Sequence, residues 1–346
     1  MARIDITVRG AGIFGLSIAH VCAARGAKVL VIDPGGVGAG SSGGLVGALA
    51  PHVPENWNPK KAFQFESLTM AASFWAEVEE LSGRDPGYAR TGRLQPIADE
   101  PALELAQNRA SGAVELWQGL ANWSVVPVSD FSGWAPASPT GYLIHDTLTA
   151  RLHPRAACAA LAKAVEAQGG EILLEGEEFG ITVLATGWQG LEALSHEFGR
   201  KVGNGVKGQS ALFQADARDL PQLFAETLHI VPHFDGTVAV GSTSEREFDD
   251  PSATDDQCED LIAQARSLCP VLANAPVIDR WAGVRPRAKT RAPILGPHPN
   301  RGDTFIANGG FKIGFGMAPK IAHVMADLIL EGRDCIPPDF HVNANL

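Results

Sequence analysis

The chain has few cysteines, only two tyrosines, and less positive charge than negative. Its five cysteines (Cys22, Cys158, Cys258, Cys269, Cys335) are odd in number, scattered and never spaced as CxxC. This excludes a disulfide framework and a thiolate metal centre, so reduced packing residues in a cytoplasmic protein without a metal are expected. Lys and Arg total 28 against 39 Asp and Glu, a formal net charge of −11 with no basic run. Nucleic acids and anionic membrane surfaces are poor partners for such a chain. Long hydrophobic runs are also missing. The apolar segment from Ala11 to Ala24 is too short to cross a bilayer and is interrupted by Ser17 and His20. A strand is predicted directly after Met1-Ala2-Arg3, so no signal peptide and no stable membrane insertion are expected.

Glycine is abundant, with 38 residues beside 23 prolines in a chain of 346, long enough for two associated domains. The most informative glycines are Gly10, Gly12 and Gly15. They lie between a β-rich run, Ile4 to Arg9, and a helix pattern from Leu16 to Arg25. A second strand, Lys28 to Asp33, ends in an acid 18 residues after the last of these glycines. Strand, glycine turn, helix, strand and acid together point to a site for the adenosine half of a dinucleotide. Gly10 permits the turn, Gly12 lets backbone approach a pyrophosphate, and Gly15 allows close helix–strand packing. Bare N–H groups and the positive helix end then face the phosphates. Asp33 suits ribose hydroxyls. At this point NAD and FAD both remain open.

A second glycine group, Pro34 to His52, carries Ser41 and Ser42 as hydroxyl donors, while Leu45, Val46, Leu49 and Val53 argue against a flexible linker. Helices are predicted over 60–81, 101–120, 154–168, 257–269 and 318–331. Strands are predicted over 91–97, 172–174, 181–185, 212–213, 228–231, 237–240 and 304–307. Pro232 to Gly236 supplies a hairpin turn, and Thr186-Gly187-Trp188 a small-residue turn where a doubly wound sheet presents ligand contacts. Trp117, Trp123 and Trp134 are expected in the core. A third glycine group, Asn308 to Gly316, sits between a strand and the closing helix, returning the chain to the nucleotide end.

Gly10 to Gly15 with Asp33, the Ser41-Ser42 loop, Val183 to Gly187, His229 to Pro232, Val240 to Thr243, Trp281 to Pro286 and the last glycine loop occur in one order. In that order they resemble the FAD-dependent D-amino acid oxidase superfamily, and most nearly its glycine oxidase branch, with sarcosine oxidase as a cousin. The resemblance spans nearly the whole chain. It implies an α/β fold: a Rossmann-like FAD-binding domain of the glutathione-reductase type (1–80, 145–205 and 290–346), interleaved with a mixed-sheet α+β substrate domain (81–144 and 206–289). It implies noncovalent FAD, because no cysteine lies in the stretch where sarcosine oxidases tether theirs.

The resemblance places Gly10, Gly12, Ile13, Phe14, Gly15, Asp33 and Pro34 on the ADP half and Ser41 and Ser42 near the pyrophosphate. Gly47, Ala48 and Leu49 fall beside the isoalloxazine, and Thr186, Gly187 and Trp188 at a contacting turn. Gly310, Phe311, Lys312, Ile313, Gly314, Phe315 and Gly316 form the loop that stabilises negative charge on the flavin. Arg285 matches the arginine that holds the substrate carboxylate by its planar fork. Lys312 stands where the branch tends to have arginine and His229 where it often has tyrosine; His52 completes the substrate set.

The implied reaction transfers hydride from the α-carbon of a small amino acid, such as glycine, sarcosine or a D-amino acid, to flavin N5. The imine formed hydrolyses to a keto acid. Molecular oxygen or another acceptor takes the electrons, and a homo-oligomer stays open. A dehydrogenase serving a quinone or carrier, and a noncatalytic flavoprotein, remain as alternatives.

Overall fold

The computed structural model describes residues 4–346. Six strands form the first sheet: β1 (Ile6–Arg9), β2 (Val29–Ile32), β8 (Glu171–Leu173), β9 (Ile181–Leu184), β15 (Ile294–Pro297) and β16 (Thr304–Asn308). Their order is β15-β16-β9-β1-β2-β8, with every pair parallel except β15 against β16. β2 is the run Val-Leu-Val-Ile with all four residues buried, as a central parallel strand covered by helices requires. That cover comes from α1 (Ile13–Ala24), α2 (Pro59–Ser82), α4 (Pro154–Ala167) and α7 (Gly314–Glu331), which share one core with β1 and β2. α1 has no polar stripe: eleven of its residues, Ile13 through Ala23, are buried.

Eight strands form the second sheet: β4 (Arg93–Pro96), β5 (Trp123–Pro127), β6 (Tyr142–Asp146), β10 (Gly203–Gln214), β11 (Gln222–Ala225), β12 (Leu228–Pro232), β13 (Thr237–Gly241) and β14 (Val277–Ala288). The order is β14-β10-β13-β12-β11-β4-β6-β5, antiparallel except where β4 meets β11. α6 (Asp256–Leu268) packs on β10, β12 and β13, and α3 (Glu100–Leu116) on β5. α5 (Gly187–Glu197) joins the two sheets by packing on β10, β14 and β16. A small pair, β3 (Ala48–Leu49) with β7 (Ala150–Arg151), anchors the glycine loop that follows β2.

The architecture is therefore α/β with a parallel-type sheet and a second mixed sheet. Several elements differ from the sequence expectations. β10 runs 12 residues where only Leu212-Phe213 was expected, because its three glycines and polar residues hide the alternation. β14, also 12 residues, alternates half-open and exposed positions at its start and half-open and buried ones from Trp281 on. It tolerates Pro286 because β14 is the sheet's edge strand. The turn at Gly187 opens α5, and α7 begins at Gly314 rather than Ala318, so part of the last glycine loop is already helical. Trp117, Trp123 and Trp134 are buried as expected, whereas Cys335 is exposed.

Candidate active site

One cavity of about 1040 Å³ lies between the ends of the first sheet and a face of the second. It exceeds the usual 300–1,000 Å³ of small-molecule sites, leaving room for a dinucleotide and a small substrate together. Three helices start at its wall, α1, α5 and α7, and none has a side-chain N-cap of its own. The long helices elsewhere do: Asn58 caps α2, Asp99 caps α3, His153 caps α4 and Asp255 caps α6. Caps from the N-cap residue itself are thus absent where helix ends face the cavity. Apart from the Ile13 amide of α1, taken by Ser42, first-turn N–H groups and a positive dipole end are left for an anion.

The nucleotide end is built by close backbone approach. Gly10 has φ of +112°, and a Cβ there would stand 2.3 Å from the Ala185 carbonyl oxygen. Gly15 lets α1 lie against the Gly10 carbonyl, where a Cβ would come within 1.9 Å. The Asp33 carboxylate accepts from the Ala11 amide at 2.8 Å and the Gly35 amide at 2.9 Å. It therefore fixes the turn, while its remaining lone pairs face the cavity. Ser42 Oγ accepts from the Ile13 amide at 3.0 Å, tying the loop after β2 to the start of α1.

The other end is tied together across β14. The Phe311 amide donates to the Pro286 carbonyl at 3.0 Å, and Arg287 bridges to Gly310, so the last glycine loop hangs on the free edge of β14. Gly310 also lies against the Phe14 ring, where a Cβ would come within 2.8 Å, which joins this loop to α1. Phe311 holds φ of +44°, an uncommon conformation for an aromatic residue. Arg285 and Lys312 thereby open into the same cavity.

Nearly all the residues expected at the site line this cavity: Gly10, Gly12, Ile13, Phe14, Asp33, Pro34, Ser41, Ser42, Ala48, Leu49, His52, Thr186, Gly187, Trp188, His229, Arg285, and Gly310 through Gly316. Gly15 and Gly47 do not. Both are packing glycines, and a Cβ on Gly47 would stand 1.8 Å from the Leu152 carbonyl oxygen. His52 is committed to Gln64, whose Oε1 receives both its backbone amide (2.8 Å) and its Nδ1.

The wall of the cavity is rich in cationic side chains. Asp33 is the sole carboxylate among the described residues of the cavity wall, against Arg9, Arg93, Arg285 and Lys312. Burial pulls the Arg285 guanidinium down to about 10, with Glu245 opposing weakly. Glu245 is already engaged by Lys207 at 3.7 Å and by Gln209 and Thr243. Arg285 itself donates only to the Thr243 carbonyl, at 3.3 Å. Burial and then Arg285 lower the Lys312 ammonium, whose Nζ sits 5.8 Å over the Phe311 ring. Burial, then Arg93 and Lys312, push His229 down to about 3, so this imidazole is neutral at ordinary pH and offers hydrogen bonding rather than positive charge.

Sequence reasoning missed several residues that line the cavity or support its lining. Gly208 on β10 lies under the Arg285 guanidinium, where a Cβ would stand 1.9 Å from Nη2. Asn308 donates to the Gly187 carbonyl at 2.8 Å, locking the end of β16 to the start of α5. Arg93, Phe224, Ser210 and Trp281 face the cavity from four strands of the second sheet. Only strand alternation combined with the pairing register brings these positions to one face.

Residues 5–328 match the DAO family, described as FAD dependent oxidoreductase. Relatives include a glycine oxidase of Pseudomonas putida, 28% identical with 96% of each chain covered. A glycine oxidase of Bacillus licheniformis is 28% identical, with 95% of this chain and 93% of that protein covered. Among solved structures, glycine oxidase from Geobacillus kaustophilus superposes with a TM-score of 0.85 at 21% identity over 99% of both chains. Iminodiacetate oxidase from Chelativorans sp. BNC1 shares the fold with a TM-score of 0.82 at 20% identity, over 96% of this chain and 97% of that one. The chain belongs to the DAO family of FAD-dependent oxidoreductases.

Proposed function

We propose that this protein oxidatively deaminates a small amino acid, with glycine, sarcosine and D-amino acids as the candidate substrates and molecular oxygen as the electron acceptor. One observation carries the reading: Arg285 lies flat over Gly208 with no carboxylate partner of its own, and Lys312 opens beside it into the cavity that three uncapped helices enter. An unneutralised pair of cations in a recess calls for an anion, and a planar guanidinium suits a carboxylate.

In this reading the Gly10 turn, Asp33, Pro34, Ser41 and Ser42 hold the ADP half of FAD without a covalent tether. Ala48, Leu49, Thr186 to Trp188 and Gly310 to Gly316 hold its flavin end. Bound FAD supplies the two-electron acceptor that takes hydride from the substrate α-carbon. Arg285 and Lys312 fix the substrate carboxylate and so the orientation of that carbon. Neutral His229 and His52 complete the polar wall. No side chain is assigned the role of base at carbon. The start of α7 adds positive potential where charge accumulates.

We assign residues 1–80, 145–205 and 290–346 to FAD binding and 81–144 and 206–289 to substrate binding. All strands of the six-stranded sheet fall in the first set, which supports the division. We also place the protein in the cytoplasm. Among the described residues no helix is long and apolar enough to cross a membrane.

The test is anaerobic mixing of the FAD-loaded protein with glycine, sarcosine and D-alanine while visible flavin absorbance is followed. Bleaching by at least one, with peroxide formed on admission of air and a raised KM in Arg285→Ala, is expected. A protein that stays yellow with every member of the panel refutes the reading.

A further inference from the structure

The face of the second sheet that walls the cavity can be read residue by residue from its register. Trp281 pairs with Ser210, Ser210 with Gly241, Gly241 with His229, and His229 with Phe224. Gln222, on the same face as Phe224, pairs with Arg93. Arg93 is 6% exposed and lines the cavity. Its Nε donates to Asp146 Oδ2 at 3.0 Å, and Asp146, fully buried, also accepts from the Thr149 amide at 2.8 Å. Both Nη groups of Arg93 have no hydrogen-bond partner among the described residues, and neither is sealed from solvent. Asp146 thus holds the base of a buried guanidinium while its fork, four N–H donors, opens into the cavity. A buried guanidinium with free donors is costly unless something accepts them.

Arg285 and Lys312 already supply a clamp for one carboxylate at the β14 end. Arg93 lies two strands beyond His229, about 10 Å in backbone spacing. Between them the floor is uncharged, with His229 neutral. Phe224 and His229 rings lie 4.5 Å apart, and the Arg93 guanidinium sits 5.8 Å over Phe224. The surface therefore presents a cationic end, an aromatic middle and, at the far end, the open donor fork of an ion-paired arginine. A ligand matching it has an acid, a stretch of methylenes and another acid.

We infer that Arg93, oriented by Asp146, is a second anion subsite, and that the preferred substrate is an amino acid carrying a second acidic group on an aliphatic arm that crosses Phe224 and His229. This rests on the oxidative deamination proposed above and names its substrate class. Arg93 binds the distal acid, Asp146 is a positioning residue, and the amine and α-carbon stay at the Arg285 end.

The test separates binding from turnover. Calorimetric titration of the FAD-loaded protein compares straight-chain dicarboxylates, malonate through pimelate, with the monocarboxylates of equal length. Turnover compares glycine with α-amino diacids of increasing arm length. The expected result is an optimum length at which the dicarboxylate binds at least tenfold tighter than its monocarboxylate, about 1.4 kcal/mol. KM is lowest for the amino diacid of matching length.

Arg93→Gln with Asp146→Asn removes the charge pair together, so no carboxylate is left buried alone. It is expected to abolish the dicarboxylate advantage, with the affinity for monocarboxylates falling far less than that for the dicarboxylate of optimum length. Arg93→Lys, which keeps charge but loses the fork, should retain part of the advantage. The inference is overturned if no dicarboxylate outbinds its monocarboxylate, or if the advantage survives the double variant. Dicarboxylate binding through Arg93 in a protein that no amine bleaches would uphold the subsite and refute the deamination. Bleaching by glycine with no dicarboxylate advantage would do the reverse.

Discussion

Gly208→Ala tests the substrate clamp without touching a side chain in it. The new methyl would stand 1.9 Å from Arg285 Nη2, 2.2 Å from Nη1 and 2.3 Å from Cζ, so the guanidinium must leave the floor of β10. The atoms met are the far end of a long side chain, and Gly208 is ordinary strand backbone without a positive φ. The fold therefore accommodates the change, and alanine's smaller unfolded-state entropy offsets part of any strain, about 0.5–1 kcal/mol. What is lost is the bidentate contact to a carboxylate, worth about 1.5–3 kcal/mol as a charge-assisted hydrogen bond. At about 1.4 kcal/mol per decade, kcat/KM should fall roughly 10- to 150-fold.

Because the clamp acts on ground state and transition state alike, most of that loss belongs in KM. Steady-state peroxide production with FAD-loaded protein measures the split, and a thermal melt checks the fold. An unchanged KM at full FAD occupancy would refute the placement of the carboxylate at Arg285. A melt collapsing with FAD lost would refute the claim that only the guanidinium moves.

Other perturbations probe the rest of the cavity. Gly10→Ala forces a left-handed φ and a 2.3 Å contact on the Ala185 carbonyl, so about 1–3 kcal/mol of strain should lower the melting temperature and FAD content together; unchanged values of both would count against the turn's role. Asp33→Ala strands the Ala11 and Gly35 amides and removes the ribose acceptor, so the purified protein should lose about 1–3 kcal/mol of stability and carry substoichiometric FAD, read from the flavin-to-protein absorbance ratio. The ammonium of Lys312 titrates below its usual 10.5 because of burial and Arg285. Substrate KM should therefore rise as pH climbs through that lowered value, and Lys312→Arg should move the rise to higher pH; a KM flat across the alkaline range in both proteins excludes Lys312 from the clamp. With its pKa near 3, His229 is neutral above that value, so His229→Gln should leave the shape of the pH profile intact while changing KM.

The legible parts of the sequence are those whose cause lies nearby in the chain. Gly10, Gly12, Gly15 and Asp33 act within one βαβ unit, so their spacing alone announces the turn. The helix from Pro154 ends where Gly169 takes φ of +84°, again a local signal. β10 and Arg93 were not legible in this way. Gly203, Gly205 and Gly208 look like breaks in a strand, yet each makes room for a residue distant in sequence or across the sheet: Leu191, Trp188 and Arg285. Arg93 falls inside a correctly anticipated strand, but its partner Asp146 lies 53 residues away and Phe224 farther still. Such residues acquire meaning only when register sets them side by side. The family resemblance named Arg285 and Lys312 but could not supply the floor beneath them.

One electrostatic fact connects the two ends of the cavity. A chain with net charge −11 gathers three uncapped helix ends, Arg285, Lys312 and the open fork of Arg93 around one recess with a single wall carboxylate. Arg93 is balanced by Asp146, but Arg285 and Lys312 have no ion-pair partner among the described residues, and such charge in a confined, low-dielectric space is unfavourable until an anion enters. On the proposed function a pyrophosphate meets it at one end and a substrate acid at the other. The edge of β14 links them, because Pro286 holds the loop bearing Lys312 one residue after Arg285. Gly310 already packs against Phe14 of α1, so the loop that carries Lys312 is tied both to that helix and to β14. The last glycine loop therefore reaches both ends of the cavity, through Phe14 at one and through the Pro286 carbonyl at the other.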